Sequence, residues 1–375
     1  MAKKKSSDKN VRKILTVVVM VLVMIFVLVC YFNPTIYAGI LNLLRGETEQ
    51  TYDGEYLVVN TLDNAEVHFI DVGQGDSILI TLPDYKNVLI DAGDKKAEYN
   101  AHIIDYLKEN AHKTSGKVTI DYFILTHPDA DHVGGADEIF EEFDVKKVFR
   151  PYVKYVGTSD TYTKDFNKGT YEHRTVAYSE FLTALRDEKY GANNAQCEWE
   201  FFNYQSDFSG GVIYNDVKYT YYFDFLTPTS AVESIRYKDI NDYSPIIRFS
   251  YQNASVMLTG DAETEAENDF VSKYLGEEEY LDVDVLKVGH HGSSTSSTQA
   301  FLNIIQPEYA VISCGEGNKY NHPHTPTLNR LFAMDCSLYR TDLHGDIKMV
   351  IDSTGEFNFI TDKVNLNPYQ PVATA

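Results

Sequence analysis

Residues 126–135 read Thr126-His127-Pro128-Asp129-Ala130-Asp131-His132-Val133-Gly134-Gly135, directly after the apolar run Tyr122-Phe123-Ile124-Leu125. Two imidazoles and two carboxylates crowd the end of a β-like run, just before a helical pattern over 135–143. Groups this close repel one another unless something neutralises them, and a divalent cation does so directly. The C-terminal end of a strand is also where sites form in layered α/β folds. The alternative, a solvated acidic turn, loses ground because two more strand ends carry matching residues. SVMLTGDAE (255–263) ends in Gly260-Asp261, a carboxylate able to bridge two ions, and VLKVGHHGSSTSS (285–297) carries His290 and His291.

Upstream of these motifs, VHFIDVGQGDSILITL (67–82) and NVLIDAGD (87–94) read as strands of a hairpin or meander. Apolar residues at helical spacing predict a helix over 97–109. Toward the C-terminus VLKV, YAVISC and SLYRT alternate with helical patterns near 297–305 and 326–334. A final hairpin pairs DIKMVID with EFNFIT around Ser353-Thr354-Gly355. This pattern predicts an α/β protein, an αβ/βα sandwich of mixed sheets. Residues 151–225 are rich in Tyr, Asn, Asp and Ser and poor in aliphatic residues. They are expected to form an insertion over the active-site face, with one helix near 179–189.

The N-terminus has a different character. Ile14–Phe32 is an uncharged apolar run, long enough for a helix to cross a bilayer, and six basic residues precede it against Asp8 alone. Its bulky end, Tyr31-Phe32-Asn33-Pro34, suits an anchor better than a cleaved signal peptide. The expected organisation is a basic cytoplasmic tail (1–13), one transmembrane helix (14–32) and a linker (33–54). A domain over 55–365 lies outside the cytoplasm, followed by a tail (366–375). With net charge −22 and its basic residues gathered at the N-terminus, the chain has an acidic body. Such a body does not attract polyanions through its general field, so tight binding of duplex DNA is not expected. Cys30, Cys197, Cys314 and Cys336 include no CxxC pair, which argues against a thiolate metal site.

The series FIDVGQGDSILI, LIDAGD, THPDADHVGG, LTGDAE, VLKVGHHGSSTS and RTDLHGDIKM resembles the metallo-β-lactamase-fold hydrolase domain of ComEC-type competence proteins, over about residues 65–352. A related domain is the phosphorylcholine esterase that acts on teichoic acid. The resemblance implies a four-layer αβ/βα sandwich and two divalent metal ions, zinc or, with so many oxygen ligands, manganese. Carried over residue by residue, one ion is expected on Asp131, His132, Asp261 and His290. The other is expected on His127, Asp129 and the shared Asp261. Asp129 stands where the wider superfamily has a histidine, and Asn241–Ser244 replaces the intermediate histidine motif, which weakens the case for β-lactam hydrolysis. The resemblance also puts His322 near the site, where it would protonate the leaving group or grip phosphate.

Other positions follow from their surroundings. Gly292–Ser296 precedes a helix, so Ser293 and Ser294, with His291 and His324, are expected to bind a phosphate group through hydroxyls and backbone N–H groups. Plain N-capping is the competing reading. Asp71, Asp76 and Asp91 are expected behind the metal ligands. The expected activity is metal-dependent hydrolysis, with Asp131 and His322 among the catalytic groups, of a phosphodiester in DNA or a wall polymer. A carboxylic ester or lactone hydrolase, or a non-catalytic binding accessory of the same fold, is the alternative. With one apolar span, the chain is not expected to import DNA alone.

Overall fold

The computed structural model describes residues 51–53, 56–157, 167–190, 197–276, 278–365 and 367–369. The apolar run 14–32 and Cys30 lie outside them. Among the described residues no helix is long and apolar enough to cross a membrane. Everything below belongs to the unit that begins at Asp53.

Short apolar strands with a period of two dictate the layers. Ile78 and Ile80 face one way and Leu79 the other; Val88 and Ile90 are likewise opposed to Leu89. The same alternation separates Val256 and Leu258 from Met257, and Val285 from Leu286. Each strand therefore presents one apolar face to a facing sheet and one to helices. One sheet runs in the order Tyr56–Val58, Phe208–Tyr214, Val217–Phe225, Ile247–Tyr251, Ala254–Leu258, Val285–Lys287, Tyr309–Ile312, Ser337–Arg340. The other runs Glu198–Phe201, Asp144–Arg150, Lys117–Ile124, Asn87–Ile90, Ile78–Thr81, Ala65–Phe69, Ile347–Ile351, Phe357–Thr361. Between them lies a core including Phe69, Ile80, Phe223, Phe249 and Val311. Helices Ala97–Asn110, Ala136–Glu142 and Val176–Tyr190 cover the outer face of the second sheet. Thr264–Tyr274, Gln299–Ile305 and Thr325–Ala333 cover the first. The result is the αβ/βα sandwich expected from the pattern.

The strands that carry the motifs are parallel within each sheet. Asn87–Ile90, Lys117–Ile124 and Asp144–Arg150 run together, as do Ala254–Leu258, Val285–Lys287, Tyr309–Ile312 and Ser337–Arg340. Their C-terminal ends deliver Asp91, residues 126–132, Asp261 and His290-His291 to one edge of the sandwich.

The stretch 151–225, expected as one insertion, is divided. Glu198–Phe201 pairs with Asp144–Arg150, and 208–225 supplies two neighbouring strands of the first sheet. Aromatic rings do the work for which aliphatic residues are lacking: Tyr178, Phe181, Phe202, Tyr221 and Phe223 are all buried. Val153–Tyr155 and Tyr171–His173 form a small parallel pair outside both sheets. Cys197, Cys314 and Cys336 are buried free thiols.

Candidate metal centre

Three histidines turn the same ring atom inward, and each is fixed from behind. Thr126 Oγ1 donates to Asp91 Oδ2 (2.6 Å), so it accepts from His127 Nδ1 at 3.1 Å. His132 Nδ1 donates to Asp91 Oδ2 (2.7 Å), and His291 Nδ1 donates to the Ser313 carbonyl (2.9 Å). With Nδ1 hydrogen-bonded in each ring, Nε2 is the atom left to offer a lone pair once the ring is neutral, the tautomer a metal ligand requires. Asp261, buried, lies where they converge.

Two halves can be distinguished around it. In the first, His132 Nε2 is 3.2 Å from Asp261 Oδ1 and 3.3 Å from His291 Nε2. His291 Nε2 is 3.4 Å from Asp131 Oδ2 and 3.5 Å from Asp261 Oδ2. Such spacings match the edges of a tetrahedron around an ion held at roughly 2.0–2.1 Å. Two imidazole lone pairs facing each other at 3.3 Å repel unless a cation or proton lies between them. In the second half, His127 Nε2 is 3.9 Å from both Asp129 Oδ2 and Asp261 Oδ2. It is buried and has no hydrogen-bond partner; Asp261 Oδ1, on the side of the first half, has none either. Orphaned buried atoms of this kind are costly, and an ion bound there would satisfy them. The residues therefore fit divalent cations.

Electrostatics agree. Burial works against charge on the His132 and His291 rings. Even so, Asp261 and Asp91 hold His132 well above the ordinary imidazole range, and Asp261, Asp131 and Asp76 push His291 up to about 10. The cluster thus demands positive charge. His127 is different: burial, with His132 beside it, lowers it to about 3. Asp129 is pushed up to about 6 by burial and by Asp131.

Asp76, His132, Asp261 and His291 each offer a donor atom within 4.8 Å of one another. Asp76 is already neutralised: Lys287 Nζ, fully buried, lies 2.7 Å from it. Burial raises the Asp76 carboxyl, but Lys287 and His291 outweigh it and hold it at about 2. Asp76 therefore supports His291, 3.4 Å from its Nδ1, and Asp131 faces the ring's Nε2. Gly75 permits this: with φ 155°, it passes so near Asp131 that a Cβ would meet the Asp131 carbonyl at 2.4 Å.

Several sequence expectations are relocated. His291, not His290, turns into the first half. Both residues are left-handed (φ 45° and 52°), a costly backbone that splays their rings. His290 pairs through Nδ1 with Glu263 Oε1 at 2.7 Å, and its Nε2 lies 3.7 Å from Asp261 Oδ2, nearer than the 3.9 Å of His127 but outside the His132–His291 cluster. Asp71 does not stand behind the ligands; its carboxylate accepts from Gly73 N, and it lines a separate cavity of about 350 Å³ with His102, Asp346 and Asp362. Asp91 takes the supporting place expected of it.

The Gly292–Ser296 loop has its own partners for its backbone donors. Ser293 N donates to His290 O, Ser294 N to His324 Nδ1, Thr295 N to Ser293 Oγ and Ser296 N to Ser293 O. Ser297 N and Thr298 N go to the Glu267 carboxylate, while the Thr298 side chain caps the helix. The helix cap is thus Thr298, outside the Gly292–Ser296 run, and the backbone N–H groups of Ser293–Ser296 are bonded within the protein. His324 braces this loop, its Nε2 donating to Tyr320 O at 3.1 Å. His322 does sit by the site, its ring centroid 5.2 Å from that of His290. Burial and the neighbouring His291 and His290 lower it to about 3, so it is a neutral imidazole at neutral pH.

Supporting residues not singled out from the sequence are Lys287, Ser313, Glu263 and His173. Only Lys287 left a signal, a cation inside an apolar strand. Ser244, within the replaced intermediate motif, bonds His127 Nδ1 at 3.3 Å and accepts from Asp261 N at 3.1 Å.

The chain is similar to known proteins. The family described as the metallo-beta-lactamase superfamily matches residues 70–168 and 240–316, which include His127, Asp129, Asp131, His132, Asp261 and His291 but neither His173 nor His322. The chain carries a metallo-beta-lactamase superfamily domain. It is 29% identical over 304 residues to ComE operon protein 3 of Bacillus subtilis, covering 76% of this chain and 32% of the relative. It is 30% identical over 293 residues to competence protein ComA of Neisseria gonorrhoeae, covering 78% and 33%. Recombination protein 2 of Haemophilus influenzae is 27% identical over 304 residues, covering 80% and 30%. The chain thus spans about a third of the length of these relatives. Its metallo-beta-lactamase domain is similar to that of ComEC-type competence proteins, and it is hydrolase-like with a candidate divalent-metal site.

Proposed function

We propose that this chain is a membrane-anchored hydrolase of phosphodiesters that works outside the cytoplasm with two divalent cations. The observation that carries the reading is the convergence of His127, His132 and His291 Nε2 on Asp261, with Asp129 and Asp131 flanking it. Asp131, His132, Asp261 and His291 would hold one ion; His127, Asp129 and the shared Asp261 would hold the other. Bound cations at such a centre acidify water and polarise the oxygen of the scissile bond. The protein's own part is orientation: Asp91 sets the His132 tautomer, Ser313 and Asp76 set His291, and Ser244 sets His127 against Asp261. His322, buried beside His290 and lowered to about 3, suits holding an oxygen of the substrate better than delivering a proton. Zinc is the first choice of metal.

A relative named for recombination supports a nucleic-acid phosphodiester, while a wall phosphopolymer has the same chemistry. The acidic body supports cleavage without tight duplex binding. The apolar run 14–32 behind a basic tail supports the anchor and the orientation.

The test uses the whole chain in detergent, metal-loaded or stripped with chelator, against bis(p-nitrophenyl) phosphate, p-nitrophenyl phosphate, a lactone and a chromogenic β-lactam. Metal-dependent cleavage of the diester is expected. A metal-loaded protein that opens the lactone or β-lactam and ignores both phosphates would make it a carboxylic hydrolase instead. Protease added outside wall-stripped cells should digest the domain; protection until lysis would reverse the topology.

A further inference from the structure

The second half of the centre receives a residue from outside both sheets. His173 closes the short strand Tyr171–His173, and its Nε2 lies 3.6 Å from Asp129 Oδ1 and 3.0 Å from Thr175 Oγ1. Thr175 Oγ1 donates to the Pro128 carbonyl at 3.3 Å, so it accepts from His173. The His173 Nε2 therefore carries a proton that is donated to Thr175, and the ring is not a ligand. The ring is 12% exposed and packs edge-on against Tyr178, which is itself buried and bonded to Arg150 and Val153 O. His173 and Thr175 together grip the Pro128-Asp129 turn from outside. Asp129 presents one oxygen to His173 and the other to His127.

We propose that His173 is a positioning residue for the second cation: its Nε2–H fixes Thr175 Oγ1, whose own O–H holds the Pro128 carbonyl, and this clasp sets the turn that aims Asp129 Oδ2 toward His127 and Asp261. The segment around residues 167–175 then governs occupancy of this half and leaves the first half alone. The proposal rests on the two-cation reading above. Partners behind a metal ligand typically change affinity about 10- to 100-fold. His173 acts through Thr175 and Pro128 rather than on the carboxylate itself, which places the expected effect at the lower end, about 10-fold.

The test is equilibrium dialysis of the whole detergent-solubilised chain against Zn2+, with bound metal read by elemental analysis. The parent should bind two ions. His173→Ala should weaken the second about 10-fold and leave the first unchanged. His173→Gln keeps an N–H donor and should recover most of the loss. Equal second-ion affinity in the parent and His173→Ala overturns the proposal, as does equal weakening of both ions or failure of His173→Gln to rescue. If His173→Ala does not fold, Thr175→Val, which frees the ring from the Pro128 clasp, should weaken the second ion selectively. No change in Thr175→Val would count against the proposal. A parent that binds one ion fails the two-cation reading itself, and the proposal falls with it.

Discussion

Around Asp261, the side holding Asp131, His132 and His291 is braced by charge, and the side holding His127 and Asp129 by hydroxyls. Behind the first stand Asp91, Asp76 and the buried Lys287. Behind the second stand Thr126, Ser244 and, at longer range, His173. The first half is closed except for Asp131, whose side chain is 29% exposed; the second opens through Asp129 at 35%. Carboxylate support makes an imidazole a stronger ligand than hydroxyl support does. The comparison teaches that one shared carboxylate can serve a tight, enclosed ion and a looser one open to substrate.

The largest effect should come from Asp261→Ala, which belongs to both halves. Elemental analysis should find neither ion at micromolar metal, and hydrolysis should vanish. A variant that keeps one ion would show that the halves are independent.

His291→Ala should remove the tight ion, with affinity falling by more than about 100-fold, beyond the range of supporting residues. His290→Ala should keep it. The reverse result, read in a parallel metal titration, would exchange the two histidines and break the first half as described.

Acidity should separate the halves next. Protons on His132, held well above the ordinary range, and on His291, pushed up to about 10, must leave when the first ion binds. Its affinity should therefore rise with pH by about tenfold per unit for each proton displaced. His127, lowered to about 3, has no proton to lose near neutrality, so the second ion should weaken mainly as pH falls through Asp129's value of about 6. Titrations at pH 6 and pH 8 would measure both slopes. Equal slopes would erase the distinction.

Asp91→Asn is the most local change. It keeps the shape but can present an amide N–H where His132 Nδ1 donates, so the first ion should weaken by about 10- to 100-fold and the second by less, through Thr126. Calorimetric titration of the folded variant checks this.

Much of this site was legible as residue types at strand ends. THPDADH, TGD and GHH each follow an apolar run, and parallel pairing brings those ends together. The identity of the histidine facing the ion was not legible, because left-handed φ at both His290 and His291 reverses any simple alternation. The Gly292–Ser296 run read as a phosphate cradle because the partner of Ser294 N, His324, and that of the next donors, Glu267, are distant in sequence. The 151–225 stretch read as an insertion because its core residues are Tyr and Phe, which also suit a surface. His173 left no signal, since its meaning depends on a turn that brings it to Asp129.

The most direct test returns a divalent ion stepwise to the chelator-stripped whole chain while hydrolysis of bis(p-nitrophenyl) phosphate is followed. The account predicts little cleavage with the first ion, cleavage that rises with the second, and an Asp129→Ala variant that keeps the first ion yet stays at background. Full activity in Asp129→Ala, or cleavage indifferent to metal, would contradict it.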